Sequence, residues 1–351
     1  MEVVLDKQYP VAAGVDAAWT VLANMNELAT CMPGAQITSE IDATHFTGSV
    51  RVKATTGNVT LGQITSTAGS VAVQAGGSIV DGDSDVDITA QSLYLVTGAA
   101  GAVGSASDAL DTTVTTVSLS AGTGGAFISE SAGLDSGNVS VVVNRVGAGG
   151  LTQTQTVATS GAGLQSTGAL VVQVLSGDLT VKDGSTAAGV NASGNVLLSA
   201  AGAVGVQSGI TSAGSVSVVA ATGDVTLSAT GDITLSTSGK TVDVEATAGS
   251  VVMQITGTGN ATNEAVIQTD AGNVRLMAAA PNKNVTLGLV DTRTAADRAA
   301  SALTNQNTWG SVSVVAGASV LDADTSNAVD VYASGLRLNA GAGAGGLGAT
   351  P

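Results

Sequence analysis

Seven residues, Asp81-Gly-Asp-Ser-Asp-Val-Asp87, place a carboxylate at every second position. Carboxylates are hard oxygen donors, and positions 1, 3 and 5 of this run have the spacing of a calcium loop. The likeness stops at Val86, in the sixth position where an EF-hand loop needs glycine. It fails again at Ser92, in the twelfth, where a bidentate glutamate belongs. An EF-hand is excluded. Asp81, Asp83, Asp85 and Asp87 remain a looser Ca²⁺ candidate at a chain corner, beside the plainer reading of a solvated acidic loop. Asp322 and Asp324 are a weaker version of the same pattern, and no other cofactor is expected.

Other chemistries have little to work with. Cys31 is the single cysteine, so no intrachain disulfide can form, and it reads as a small, partly buried residue. His45 is the single histidine and falls on a predicted strand. With neither residue type beyond position 45, a Ser-His-Asp triad or a thiolate zinc site is excluded there. Carboxylates stacked on adjacent coils could cleave polysaccharides, but rings for sugar stacking are scarce. The expectation is therefore not an enzyme, with a polysaccharide-acting fold as the enzymatic alternative. The run GAAGAVG (Gly98–Gly104) has no βαβ context and is not a dinucleotide fingerprint.

Charge narrows the partners. The formal net charge is −16, with Lys and Arg scattered, which suits neither nucleic acid nor an anionic membrane. No apolar run approaches the ~18 residues of a membrane span, so no insertion is expected. The opening MEVVLDKQYP lacks the basic-then-apolar pattern of a signal peptide, which leaves a cytoplasmic location open.

The elements that hold these residues come from a repeat. Residues 223–240, GDVTLSATGDITLSTSGK, say nearly the same thing twice. Gly followed by Asn, Asp or Ser and a short alternating stretch recurs at Gly57, Gly69, Gly137, Gly177, Gly194, Gly214, Gly223, Gly231, Gly249, Gly272 and Gly310. Glycine and Asn or Asp tolerate positive φ and so turn the chain. Val-Thr-Leu or Val-Ser-Val then sets two apolar side chains on one face and a hydroxyl on the other, with the period of a strand. One repeat cannot bury its apolar face alone, whereas stacked coils can. A thin interior of Val, Leu, Ile and Ala also explains why only Tyr94, Phe127, Trp309 and Tyr332 supply rings after position 53.

The fold class is therefore mainly β, a parallel β-helix over residues 54–338, preceded by a small α+β segment over 1–53. About 20 residues per coil gives on the order of 14 coils and a rod of roughly 70 Å. Val103–Val117 and Thr294–Thr308 are the expected insertions, the second with a short helical turn, and 339–351 reads as a flexible Gly/Ala-rich tail. In 1–53, apolar residues from Ala18 to Met32 recur at helical spacing between two strand-like stretches, and the segment is a candidate cap.

Two resemblances follow from these motifs. Residues 57–338, and most of all GAAGAVGSASDALDTTVTTVSLSAGTGGAFISES at 98–131, resemble the repeats of filamentous-haemagglutinin-type adhesins and related large bacterial exoproteins. That resemblance implies a right-handed β-helix and an extracellular or cell-surface location. It implies a structural or adhesive role toward a host surface, a glycan or neighbouring exoprotein repeats. Cys31-Met-Pro-Gly-Ala35, Ile41-Asp42 and Thr44-His-Phe46 resemble the N-terminal third of an SRPBCC, or START-like, domain of the CoxG type associated with carbon monoxide dehydrogenase. It implies the alternative function, an accessory protein binding a hydrophobic small molecule, with the repeats as an appendage.

Overall fold

The computed structural model describes residues 36–42, 45–158, 163–182, 189–256, 263–324 and 328–345. Nearly all strands join one 31-stranded sheet, in which strands bond in parallel to their equivalents one coil away; the exception is Gln36–Asp42, antiparallel to His45–Ala54. The chain is a parallel β-helix, as the repeat predicts. One inward row runs along it: Val59, Ile79, Val103, Ala126, Leu170, Val196, Val216, Val242, Val274, Val312 and Leu336.

That row has eleven rungs rather than fourteen, and at ~4.8 Å per rung the rod is roughly 50 Å long. Coils longer than expected account for the difference. Row neighbours lie 20 to 26 residues apart in most steps, but 44 residues separate Ala126 from Leu170, 32 separate Val242 from Val274, and 38 separate Val274 from Val312. The first ten residues of the row are buried; Leu336, on the last rung, is 49% exposed. Each buried Val or Leu contributes about 1.5–3 kcal/mol, and its neighbours above and below make the burial nearly complete.

The repeat's glycine serves two purposes. Gly57 and Gly177 do take positive φ, +76° and +86°. Gly249 and Gly272 do not. There a Cβ would fall 1.9 Å from the Gly223 carbonyl oxygen and 1.6 Å from that of Lys240, so the rung below leaves no room. The residue after the glycine does not turn the chain by positive φ as expected: Asn58, Asp178, Asn195, Asp224, Asp232 and Asn273 all lack it, and they act instead as hydrogen-bond acceptors. Asn58 Oδ1 accepts the Ser78 N–H at 2.9 Å, Asn195 Oδ1 that of Ser215 at 2.9 Å, Asp224 Oδ1 that of Ser250 at 2.7 Å and Asn273 Oδ1 that of Ser311 at 2.8 Å. A side-chain oxygen thus carries the ladder one hydrogen bond past the end of these strands.

The excursions differ in part from expectation. Only residues 104–109 leave the coil within 103–117, because Leu110–Ala121 is a strand of the stack. Thr294–Thr308 does hold a short helix, α1 (Ala295–Ala299), N-capped by Thr294, followed by a 3₁₀ turn at Gln306–Thr308. The Gly137 copy of the repeat is not a coil strand. Ser140–Val146 pairs antiparallel with Thr152–Ala158, and Val139, Val141, Val143 and Val157 pack with Ala72 and Tyr94 on the outside of the stack. Alternation decides which residues share a face, not which surface that face covers.

At the N-terminal end, His45–Ala54 is a strand, and Val50 pairs with Val71. The boundary expected between 53 and 54 therefore falls inside the first rung. The expected tail begins too early as well: Asn339 and Ala340 pair with Val315 and Ala316, and Gly343 and Ala344 with Ser319 and Val320. The helical stretch expected from Ala18 to Met32, and Cys31 with it, lie outside the described residues.

Candidate functional site: an acidic coil corner

Alternation along Ile79-Val80-Asp81 turns Asp81 inward, in phase with Ile79, and the residue is buried. The chain then rounds a corner and re-enters the stack at Asp87, directly before the strand Ile88–Val96, and Asp87 is fully buried. Two buried aspartates thus lie within seven residues. Side chains order the corner: Asp81 Oδ1 accepts the Asp83 N–H at 2.9 Å, and Asp83 Oδ1 accepts the Asp85 N–H at 2.9 Å. Asp87 joins the next rung, its N–H donating to the Asp111 carbonyl at 2.9 Å and its Oδ2 accepting the Asp111 N–H at 3.0 Å. Its Oδ1 is buried and has no hydrogen-bond partner.

Burial pushes the Asp87 carboxyl up to about 7, and the charges of Asp81, Asp83 and Asp111 push the same way, against the Asp111 N–H. Asp81 is raised too, by burial and by Asp108, Asp111 and Asp83. Of the four residues read from the sequence, Asp81, Asp83 and Asp87 share one electrostatic neighbourhood; Asp83 and Asp85 are both exposed. Asp111, from the neighbouring rung, completes the group. It escaped sequence reading because the register that places it beside Asp87 is a long-range property. Among the described residues, no three His, Cys, Asp or Glu side chains converge tightly enough to form a ready-made metal centre.

The second aspartate pair gains company in the same way. Asp322 Oδ1 accepts the Asp324 N–H at 2.8 Å, and Asp330 is pushed up to about 6 by burial and by those two charges. Glu264 is raised by burial and by all three.

Two polar clusters were not anticipated. Glu130 is fully buried and raised to about 7 by burial, with its oxygens held by Thr112 Oγ1 at 2.8 Å and the N–H groups of Val114 and Ala132 at 3.0 Å. The signal was available: in Gly125–Glu130, alternation puts Glu130 in phase with Ala126 and Ile128. The other cluster fastens α1. The Asp297 carboxylate accepts from Thr294 Oγ1 at 2.8 Å, Asn305 Nδ2 at 2.9 Å and Trp309 Nε1 at 2.8 Å. Those donors, Asn305 first, hold it below the usual range. Arg293 forks onto Asp291 at 2.6–3.1 Å and lies 3.9 Å over the Tyr332 ring. Donors and acceptors here satisfy one another, which suits a fastener better than a reaction centre.

One groove of about 570 Å³ runs up the outside across four rungs. Asp243, Arg275, Ser313 and Arg337 line it beside the apolar Val242, Val274, Val312 and Leu336, and Arg275 is tied to Asp243 and Glu245 at 2.7 Å. Comparison with protein-family models, with curated proteins and with solved structures finds no match.

Proposed function

We propose that the chain is a non-catalytic structural or adhesive β-solenoid segment of a bacterial surface or secreted exoprotein. One observation carries this reading: polar side chains along the rod, from Asn58 to Asn284, are spent on bonds between rungs. Such a chain is built to hold a long, stiff outer surface. The four-rung groove with Arg275 and Arg337 is the part of that surface suited to a polar partner such as a glycan or a neighbouring exoprotein repeat.

The test incubates the full chain with immobilised host and bacterial glycans and with purified β-solenoid repeats, and reads both retention and released sugar ends. Retention without release, weakened severalfold by Arg337→Ala, supports the adhesive reading. Release of new reducing ends from any glycan would make the chain an enzyme and overturn it. Retention on no surface would overturn the adhesive half.

A further inference from the structure

We propose that the corner formed by Asp81, Asp83, Asp87 and Asp111 binds one Ca²⁺ ion, with Asp87 Oδ1 as the anchoring ligand. The site spans two rungs and is independent of the outer groove. Its first support is the orphaned oxygen. Asp87 has no exposed surface, its Oδ2 is engaged by the Asp111 N–H, and its Oδ1 meets no donor. A buried carboxylate without a partner is costly, and either a proton or a cation relieves it.

Charge favours a cation. The charged groups acting on Asp87 are Asp81, Asp83 and Asp111, and those acting on Asp81 include Asp108 as well; all are acidic. The ion pairs among the described residues involve Asp135, Asp243, Glu245 and Asp291, none of them at this corner. No positive charge is among the groups acting on Asp81 or Asp87.

Ligand type selects the ion. Only hard oxygens are offered, so zinc and copper are poorly served. Mg²⁺ demands a strict octahedron and dehydrates reluctantly, so a corner shared between two rungs suits it less well. Ca²⁺ accepts about six to eight oxygens in irregular geometry, so backbone carbonyls and water can complete a shell anchored by Asp87. Binding here would pin the Asp81–Asp87 corner to the rung carrying Asp111.

The experiment follows thermal unfolding of the full chain at pH 8 with CaCl₂ or with EDTA, at constant ionic strength, alongside calorimetric Ca²⁺ titration. A midpoint raised by several degrees in Ca²⁺, one ion bound per chain, and loss of both in Asp87→Asn are the expected results. Asn keeps an acceptor for the Asp111 N–H, so that variant should fold; Asp83→Asn, at an exposed position, is the second variant and should weaken binding about tenfold. Asp85→Asn should leave the response unchanged. No Ca²⁺ response in the wild type, an equal response in Asp87→Asn and Asp83→Asn, or the same shift with Mg²⁺ would overturn the proposal. A midpoint that rises on acidification but never with Ca²⁺ would leave protonation as the relief and also overturn it.

Discussion

Glu130 and Asp87 carry the clearest consequence for solution behaviour. Both sit fully buried, and each is pushed up to about 7 from an ordinary value near 4. In the unfolded chain these carboxyls lose their protons near pH 4; in the folded chain they keep them until about pH 7. Unfolding in that window therefore releases protons, and stability falls as pH rises from about 4 through 7. The melting midpoint in EDTA is expected to be several degrees higher at pH 5 than at pH 8. Glu130→Gln should raise the pH 8 midpoint and reduce the difference. A protonated Glu130 can donate to Thr112 Oγ1, which passes its own proton toward the Ser129 carbonyl at 3.3 Å, and an amide can do the same. Equal midpoints at the two pH values would contradict this account.

At the scale of elements, period-2 alternation was the legible part. It gives the strands and their inward faces, as Val225 (fully buried) and its half-exposed neighbour Thr226 show. Val225→Asp is expected to lose about 3 kcal/mol or more, because the carboxylate enters a stacked apolar layer with no partner. Thr226→Asp should cost well under 1 kcal/mol. Matching losses in urea unfolding would mean the faces are reversed. Registry was not legible. Nothing local to Asp111 says that it will meet Asp87, and nothing in Gly137-Asn-Val-Ser-Val141 says that this copy will fold back over Ala72 and Tyr94. The reason for the turn residue was also hidden. Tolerance of positive φ predicts that Asp224→Gly is harmless, whereas an acceptor for the Ser250 N–H predicts a loss of about 1 kcal/mol with Gly or Ala and none with Asn. The same urea series separates the two explanations. Gly249→Ala should be far worse than either, since its Cβ would meet the Gly223 backbone.

For the whole molecule, each rung rests only on the rungs beside it, so stability is shared between neighbours rather than through one core. Middle rungs have two neighbours, while the last, with Leu336 and Leu338 exposed, has one among the described residues. Amide hydrogen exchange should therefore be slowest around residues 190–250 and fastest over 335–345, with uniform protection counting against a stack of separable rungs. The ladder of turn acceptors also bears on the chain's charge of −16. That position asks only for an oxygen. Asn58, Asn195, Asn273 and Asn284 supply it neutrally, and Asp178, Asp224 and Asp232 supply it with a negative charge. Direct hydrolysis of one of these asparagine side-chain amides to a carboxylate, without rearrangement of the backbone, would exchange one kind for the other and leave the bond to the next rung in place. An old molecule of this kind would migrate further toward the anode than a young one, yet be no looser.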